Sequence, residues 1–224
     1  MKRTIIAFAV ICLGIFTSAA IAGETTYDFK LGTGYATDPE KFGFQLNAGY
    51  YNEFDPFFVI GVEPGIYWIN WEEKVGEETA GNITADVKKD SNAYMIPIMA
   101  NGQIRLPNLR KSLYLLPHIT IGIGYSMMIY DYNQPAYTDA ADVEHEGQSD
   151  TDFYSGLTWQ ILVGGTFKPG RESNIGFLFE GGYRGVKLKR KDLEVDMSGF
   201  IINLGVRYPF GNPRPDNPYT RISI

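Results

Sequence analysis

The stretch His118-Ile119-Thr120-Ile121-Gly122-Ile123-Gly124-Tyr125 changes character at every residue, bulky and apolar at one position and small or polar at the next. A strand puts successive side chains on opposite faces, so this period of two describes a strand whose two faces meet different surroundings. Working outward, the same alternation recurs in eight segments, 27–36, 42–51, 57–71, 92–106, 113–130, 153–168, 174–186 and 198–210. The bulky register carries Phe29 and Leu31 in the first segment, Phe44 and Leu46 in the second, Ile66 and Trp68 in the third and Ile96 and Ile98 in the fourth. It continues with Ile121 and Ile123, with Trp159 and Ile161, with Phe177 and Phe179, and with Phe200 and Ile202. The other register carries Gly32, Gln45, Asn101, Gln103, Thr120, Gln160 and Asn203, together with Lys30, Glu63, Arg105, His118, Glu180, Arg184 and Arg207.

Alternation alone is shared by secreted sandwiches and barrels. What separates them is that no charged residue enters the bulky register of any segment. A charge on a lipid-facing strand position near the bilayer centre costs about 2–4 kcal/mol for Arg or Lys, so lipid outside and polar side chains inside account for the pattern. A solvent-facing register would have no reason to exclude charge. Tyr35, Tyr50, Trp68, Tyr94, Tyr125, Tyr183 and Tyr208 lie near segment ends, where an aromatic ring suits the boundary between lipid and water. The fold expected is all-β, a closed antiparallel transmembrane barrel of eight strands in an up-and-down meander.

The connections divide into two kinds. Residues 52–56, 107–112 and 169–173 are short and rich in turn formers, as periplasmic turns are; 37–41, 72–91, 131–152 and 187–195 are more polar and read as external loops. Pro64, Pro97 and Pro117 fall inside strands, where each removes a ladder donor, so bulges or local breaks are expected there.

The chain starts with Met1-Lys2-Arg3, continues through an uncharged apolar run to Phe16, and reaches Ala20-Ile21-Ala22. That is the order of a secretory signal peptide, with cleavage directed by Ala20 and Ala22. The domains expected are therefore a signal peptide at 1–22, a barrel at 23–210 and a proline-containing periplasmic tail at 211–224. Removing 1–22 takes Lys2, Arg3 and the single cysteine, Cys12, leaving 18 basic against 26 acidic residues. A net charge of −8 disfavours nucleic-acid binding, and a cysteine-free chain has no disulfides.

Four groups of residues are candidates for function. Lys30, Glu63, Arg105, His118, Glu180, Arg184 and Arg207 are expected to form a polar network in the lumen, because buried charges must be paired. An eight-stranded barrel is just wide enough to be filled by its own side chains, so the network should plug it. Lys187, Lys189, Arg190 and Lys191 lie where the seventh segment leaves the membrane, at the level of lipopolysaccharide phosphates. The 131–152 loop holds seven acidic residues around Glu144-His145-Glu146; oxygen-rich loops bind cations, but the spacing matches no calcium loop and a solvated loop is expected. His118 and His145 have no serine placed by sequence as a nucleophile, so neither catalysis nor a cofactor nor a metal is expected.

The last segment adds a resemblance. Leu204-Gly205-Val206-Arg207-Tyr208-Pro209-Phe210, with Leu204, Val206, Tyr208 and Phe210 in one register, resembles the closing-strand signal of outer-membrane barrels. Asp196-Met197-Ser198-Gly199-Phe200, residues 94–101 and Gly122-Ile123-Gly124-Tyr125 are similar to segments common in the small outer-membrane β-barrel family that includes OmpA-like and OmpW-like domains. The resemblance implies insertion by the barrel-assembly machinery, location in the bacterial outer membrane, and contact with its lipid and lipopolysaccharide. It implies no single activity. It departs from the family's pattern in that Phe210 is followed by residues 211–224. The function expected is structural or surface interaction, with an extracellular partner met by the loops. The alternatives are a narrow conduit for small apolar molecules and, behind it, a lipid-modifying enzyme.

Overall fold

The computed structural model describes residues 25–80, 83–106, 115–139, 143–169 and 175–210. Among the described residues every regular element is a strand: β1 (Thr25–Ala36), β2 (Lys41–Glu53), β3 (Phe58–Ala80), β4 (Ile83–Arg105), β5 (Leu115–Gln134), β6 (Tyr137–Thr138), β7 (Glu144–His145), β8 (Gln148–Phe167), β9 (Gly176–Arg190), β10 (Leu193–Asp196) and β11 (Gly199–Phe210). Each long strand pairs antiparallel with the next, and β1 pairs with β11 from Thr25↔Phe210 to Gly34↔Ile201, closing a ring of eight. Both chain ends of the ring lie on one side, as an even number of antiparallel strands requires. The signal peptide with Ala20 and Ala22, and the tail at 211–224, lie outside the described residues, as do most of the turns at 107–112 and 169–173.

The alternating registers sort as the physics of lipid and lumen demands. Phe29, Leu46, Ile66, Ile123, Trp159, Phe177 and Phe200 face outward, while Lys30, Gln45, Glu63, Gln103, Thr120, Gln160, Glu180 and Asn203 are buried inside. Outward rings pair across neighbouring strands: Tyr27 against Tyr50, Tyr35 against Phe42, Trp68 stacked on Tyr94, and Tyr183 between Trp159 and Phe200. Cross-strand aromatic pairs of this kind add to sheet stability beyond their buried area. At the turn 54–57, Asp55 Oδ1 accepts from the backbone N–H of Phe57 and Phe58, both at 2.7 Å, and so sets the β2–β3 reversal.

Three expectations are corrected. The segment 72–91 is not a loop; β3 and β4 continue as a paired hairpin to Ala80↔Ile83. Residues 131–152 are largely strand as well, with β5 and β8 paired out to Gln134↔Gln148 and the small β6–β7 hairpin between them. Residues 187–195 form another hairpin, β9–β10, turning at Lys191 and Asp192, where Lys191 adopts a φ of 51°. Above the membrane no lipid imposes an apolar register, so the sequence loses its alternation while the backbone ladder continues on hydrogen bonds alone.

At the prolines the expected local breaks occur beside Pro64 and Pro97 and not at Pro117. Neither Pro64 nor Pro97 shifts the register: the β3–β4 ladder passes from Pro64↔Ile98 to Tyr67↔Met95 with pairs missing between, and the β2–β3 ladder skips from Asn47↔Gly65 to Tyr50↔Val62. The breaks are local gaps opposite the missing donors. Pro117 stays paired with Gly165, and its carbonyl accepts from Leu106 N–H at 2.9 Å. The β-bulge of this hairpin lies instead between Lys74 and Gly76, beyond the proline-bearing stretch.

β10 and β11 are one strand interrupted at Met197-Ser198. Their pairings with β9 share a single register, Asp196↔Lys187 before the gap and Gly199↔Arg184 after it. Within the gap Ser198 Oγ accepts from Val186 N–H at 2.9 Å, and Ser198's own carbonyl accepts from Thr37 N–H at 2.8 Å across the seam. A side chain thus replaces a missing ladder acceptor.

Candidate functional site: a two-layered lumen beneath an open extracellular sheet

The lumen has a polar layer on the periplasmic side. Lys30 Nζ, from β1, lies 2.6 Å from Glu63 Oε2 of β3 and 2.7 Å from Glu180 Oε2 of β9. Glu63 also accepts from Tyr51 Oη at 2.6 Å, and Tyr51 Oη accepts from Asn101 Nδ2 at 3.1 Å. The chain continues through Gln160, whose amide donates to Asn101 at 3.0 Å and whose Oε1 accepts from Arg184, and on to Gln45, which takes a second Arg184 N–H at 3.1 Å. Gln45 donates in turn to Asn203 of β11.

On the other side of Glu180, Oε1 meets His118 Nε2 at 2.9 Å and accepts from Thr120 Oγ1 at 3.2 Å. Thr120 accepts from Gln103, and Gln103 Oε1 accepts from Arg105 and Arg207. Arg207 holds Asp28 with two parallel bonds of 2.7 Å, the bidentate geometry that fits a guanidinium to a carboxylate. Arg105 is paired with Glu53.

These bonds join side chains from all eight barrel strands into one connected network. Its four cations, Lys30, Arg105, Arg184 and Arg207, equal in number its four carboxylates, Asp28, Glu53, Glu63 and Glu180; Lys30 holds two carboxylates, Arg105 and Arg207 one each, and Arg184 is bonded to the amides of Gln45 and Gln160. The balance matters because a net charge held in so enclosed a space would cost several kcal/mol, while matched pairs offset most of that desolvation. Lys30 is wholly buried, which only such pairing permits.

All seven lumen residues expected from the sequence lie in this network. Asp28, Tyr51 and Glu53 were missed, although Asp28 and Tyr51 share the inward register of Lys30 and Gln45, a signal the same alternation carries.

The layer above is apolar, which the sequence reading did not anticipate. Tyr67, Ile69, Met95, Met128, Tyr154, Leu188 and Met197 form a buried cluster toward the extracellular end, with Trp71, Tyr130 and Val195 against it. Arg184 stands at the junction of the layers. A void of ≈ 10 Å³ there, about the room of one water, is lined by Gly34, Tyr67, Met95, Arg184 and Met197. Small residues let the walls approach: a Cβ on Gly199 would lie 1.5 Å from the Tyr35 carbonyl oxygen.

Outside, β3, β4, β5 and β8 rise above their neighbours as a four-stranded open sheet. Trp71 stacks on Tyr130 at 5.7 Å, and Lys89 Nζ sits 4.2 Å from the centre of the Tyr132 ring. Tyr137 of β6 stacks on His145 at 4.4 Å and lies over Gly76, where any Cβ would meet its ring at 2.5 Å. His145 Nε2 also contacts Asp139 Oδ2 at 3.2 Å. Among the described residues no three His, Cys, Asp or Glu side chains converge as metal ligands.

The basic cluster divides. Lys187 and Lys189 point outward and share Glu194, at 3.6 and 2.8 Å. Lys191 is exposed at the hairpin tip. Arg190 departs from the expected grouping: it lies on the inward register of Leu188 and pairs with Asp152 of β8. The hydrogen bond from Lys189 holds the Glu194 carboxyl below the usual carboxylate range. Of the closing-strand residues, Leu204, Val206 and Tyr208 face outward opposite Leu31, Phe29 and Tyr27, and Phe210 pairs through its backbone with Thr25.

Comparison with known proteins adds the family. Residues 8–210 match the family described as outer membrane protein beta-barrel domain. Among solved structures, the chain is similar to Ail, the attachment invasion locus protein of Yersinia pestis, in complex with the heparin analogue sucrose octasulfate. The identity is 16%, with a TM-score of 0.51, covering 84% of this chain and 99% of that one. It is also similar to the outer membrane protein OprG from Pseudomonas aeruginosa, at 12% identity and a TM-score of 0.51, covering 85% and 97%. No curated protein matches the chain. At these identities the two structures speak to the fold.

Proposed function

Because this chain belongs to the outer membrane protein β-barrel family and lies in the bacterial outer membrane, we propose that it serves as a structural and surface-interaction barrel, anchored by its strands and meeting an extracellular partner through the sheet that rises above the membrane. The observation carrying this reading is the contrast between the two ends of the barrel. The lumen is occupied across both layers by bonded or close-packed side chains, whereas β3 and β4 extend some eight or nine residues further out, roughly 30 Å at strand rise, flanked by the shorter extensions of β5 and β8. An extension of that size has no part in spanning a bilayer.

Lys187, Lys189 and Lys191 supply the contact with lipopolysaccharide phosphates in this reading, with Glu194 holding the first two in place. The barrel-assembly machinery is the partner during insertion. No catalytic step belongs to the reading: His118 is engaged by Glu180 and by the Leu116 carbonyl, and His145 by Asp139 and Tyr137.

The test compares cells carrying the full chain with cells in which 72–90 and 132–149 are replaced by short turns. Retention on a serum-protein-coated surface should fall with the truncation while the barrel still inserts; equal retention would refute the surface role. One observation favours a second reading, a narrow conduit for small apolar molecules: Met95, Met128 and Met197 give the upper layer flexible, adaptable side chains. Reproducible unitary conductance from purified protein in a planar bilayer would replace the first reading with this one.

A further inference from the structure

The ring of strands is closed only within the membrane. The register that pairs Phe44 with Trp68 sets Lys41, the first residue of β2, opposite Trp71. From residue 72 to residue 80, β3 is therefore paired on one side, with β4, and has no strand on the other among the described residues. Such an edge presents alternate backbone N–H and C=O groups outward and is a template for another strand. The small strand β6 packs against this stretch without forming a ladder with it: Tyr137 lies over Gly76, and its Oη is 3.4 Å from the Val75 carbonyl.

Charge decides which strand can join. Across 72–80, 83–90, 131–134 and 148–152 the open sheet carries nine carboxylates and three lysines. All three lysines are taken: Lys74 lies between Glu77 and Asp86, Lys88 is bonded to Glu72, and Lys89 is over Tyr132. These contacts show the sheet holding lysine both by carboxylate and by ring face, and Glu73 and Glu78 remain for further cations. A second copy of the edge would bring glutamates against glutamates, which disfavours self-pairing. One-signed edge charge thus excludes like strands and admits an opposite one.

We propose that residues 72–80 of β3 form a docking edge for a lysine- or arginine-rich extended segment of another protein, added to the sheet as a further strand. This rests on the surface-interaction reading and names its partner's chemistry. Main-chain hydrogen bonds supply the attachment, and the carboxylates of the sheet select the basic sequence.

The test uses the full chain in lipid nanodiscs and three short peptides: one alternating lysine with threonine, one alternating glutamate with threonine, and one with the lysine count of the first and prolines placed in both registers of the strand. The first should bind saturably and slow amide exchange within 72–80. The E73K/E78K variant should bind it at least about tenfold more weakly, as expected for facing like charges, and E73Q/E78Q should fall between. The prolines keep the charge but cannot form a ladder, so that peptide should leave amide exchange unchanged. Equal binding by the proline peptide, protection mapping elsewhere, binding of the glutamate peptide, or protection that appears with rising protein concentration alone would each overturn the proposal. If removing the sheet abolishes cell retention and the lysine peptide still fails to bind, this inference fails and the surface role stands.

Discussion

Replacing Lys30 by methionine keeps most of the side-chain volume and removes the one cation that bridges Glu63 and Glu180. Each carboxylate retains some support, Glu63 from Tyr51 and Glu180 from His118 and Thr120. With the ammonium gone, the least costly relief is for one carboxylate to take up a proton. Protonating a carboxyl of reference value near 4.3 at pH 7 costs about 1.36 kcal/mol for each pH unit between them, or roughly 3.7 kcal/mol. Breaking one partner of a buried pair typically costs 3–5 kcal/mol, so two independent routes agree. The variant should therefore lose about 3–4 kcal/mol at pH 7. The sign of its pH dependence follows: the lost stability should shrink by about 1.4 kcal/mol per unit as pH falls toward the carboxyl range, because the proton becomes easier to take up. Urea unfolding in phospholipid vesicles across pH 5–8 measures both quantities. Adding Glu63→Gln should recover much of the loss at pH 7 and flatten the pH slope. A loss under about 1 kcal/mol, or one that grows on acidification, would refute the description of Lys30 as the charge tie of the lumen.

The remaining predictions concern the walls and the rim. Ile123→Arg, on the charge-free outer register, should destabilise the protein in phospholipid by about 2–4 kcal/mol and far less in a variant whose charge lies at the membrane edge. Gly199→Ala should lower the yield of folded barrel, since its Cβ would press into the Tyr35 carbonyl, whereas Gly102→Ala, with nothing nearer than 4.0 Å, should be nearly neutral; unfolding midpoints compare the two. Glu194 should keep its charge below the pH at which a free glutamate titrates, and Lys189→Met should move its titration upward by NMR. The sign is that of a carboxylate stabilised by a cation: pairing persists above the normal value and is lost only as pH falls through the lowered one. Gly76→Val should displace Tyr137 and raise amide exchange at residues 137–138.

The membrane-embedded half of the molecule was legible because lipid and a narrow lumen each impose a rule on alternate residues. Ile121 and Ile123 read as outside, Thr120 and Gln160 as inside, and the structure agrees. The same rule misled by omission in the upper lumen. Met95, Met128 and Leu188 occupy inward positions but are as apolar as their outward neighbours, so only parity distinguishes them. The extracellular strands were illegible for a different reason. Between Glu72 and Asp90 most side chains meet water, with Val87 buried and Tyr137 over Gly76 as local exceptions, and a ladder with so little buried face leaves no periodic trace in the side chains. Pro64 and Pro97 produce local breaks, as read from the sequence, whereas Pro117 stays in its ladder. A gap of unpaired residues preserves the register, and in a closed ring preserving the register keeps every inward residue inward.

The polar layer has a bearing on how the barrel is made. Asp28 and Arg207 come from the first and last strands, as do Lys30 and Asn203, so the opening strand's charges meet the closing strand's only when the seam has zipped. A chain inserted with the seam open or slipped by one residue would carry unmatched ions into a dry interior. Charge balance and seam alignment are thus one and the same condition: the closed seam joins Asp28 to Arg207, and an open one leaves both ions without each other.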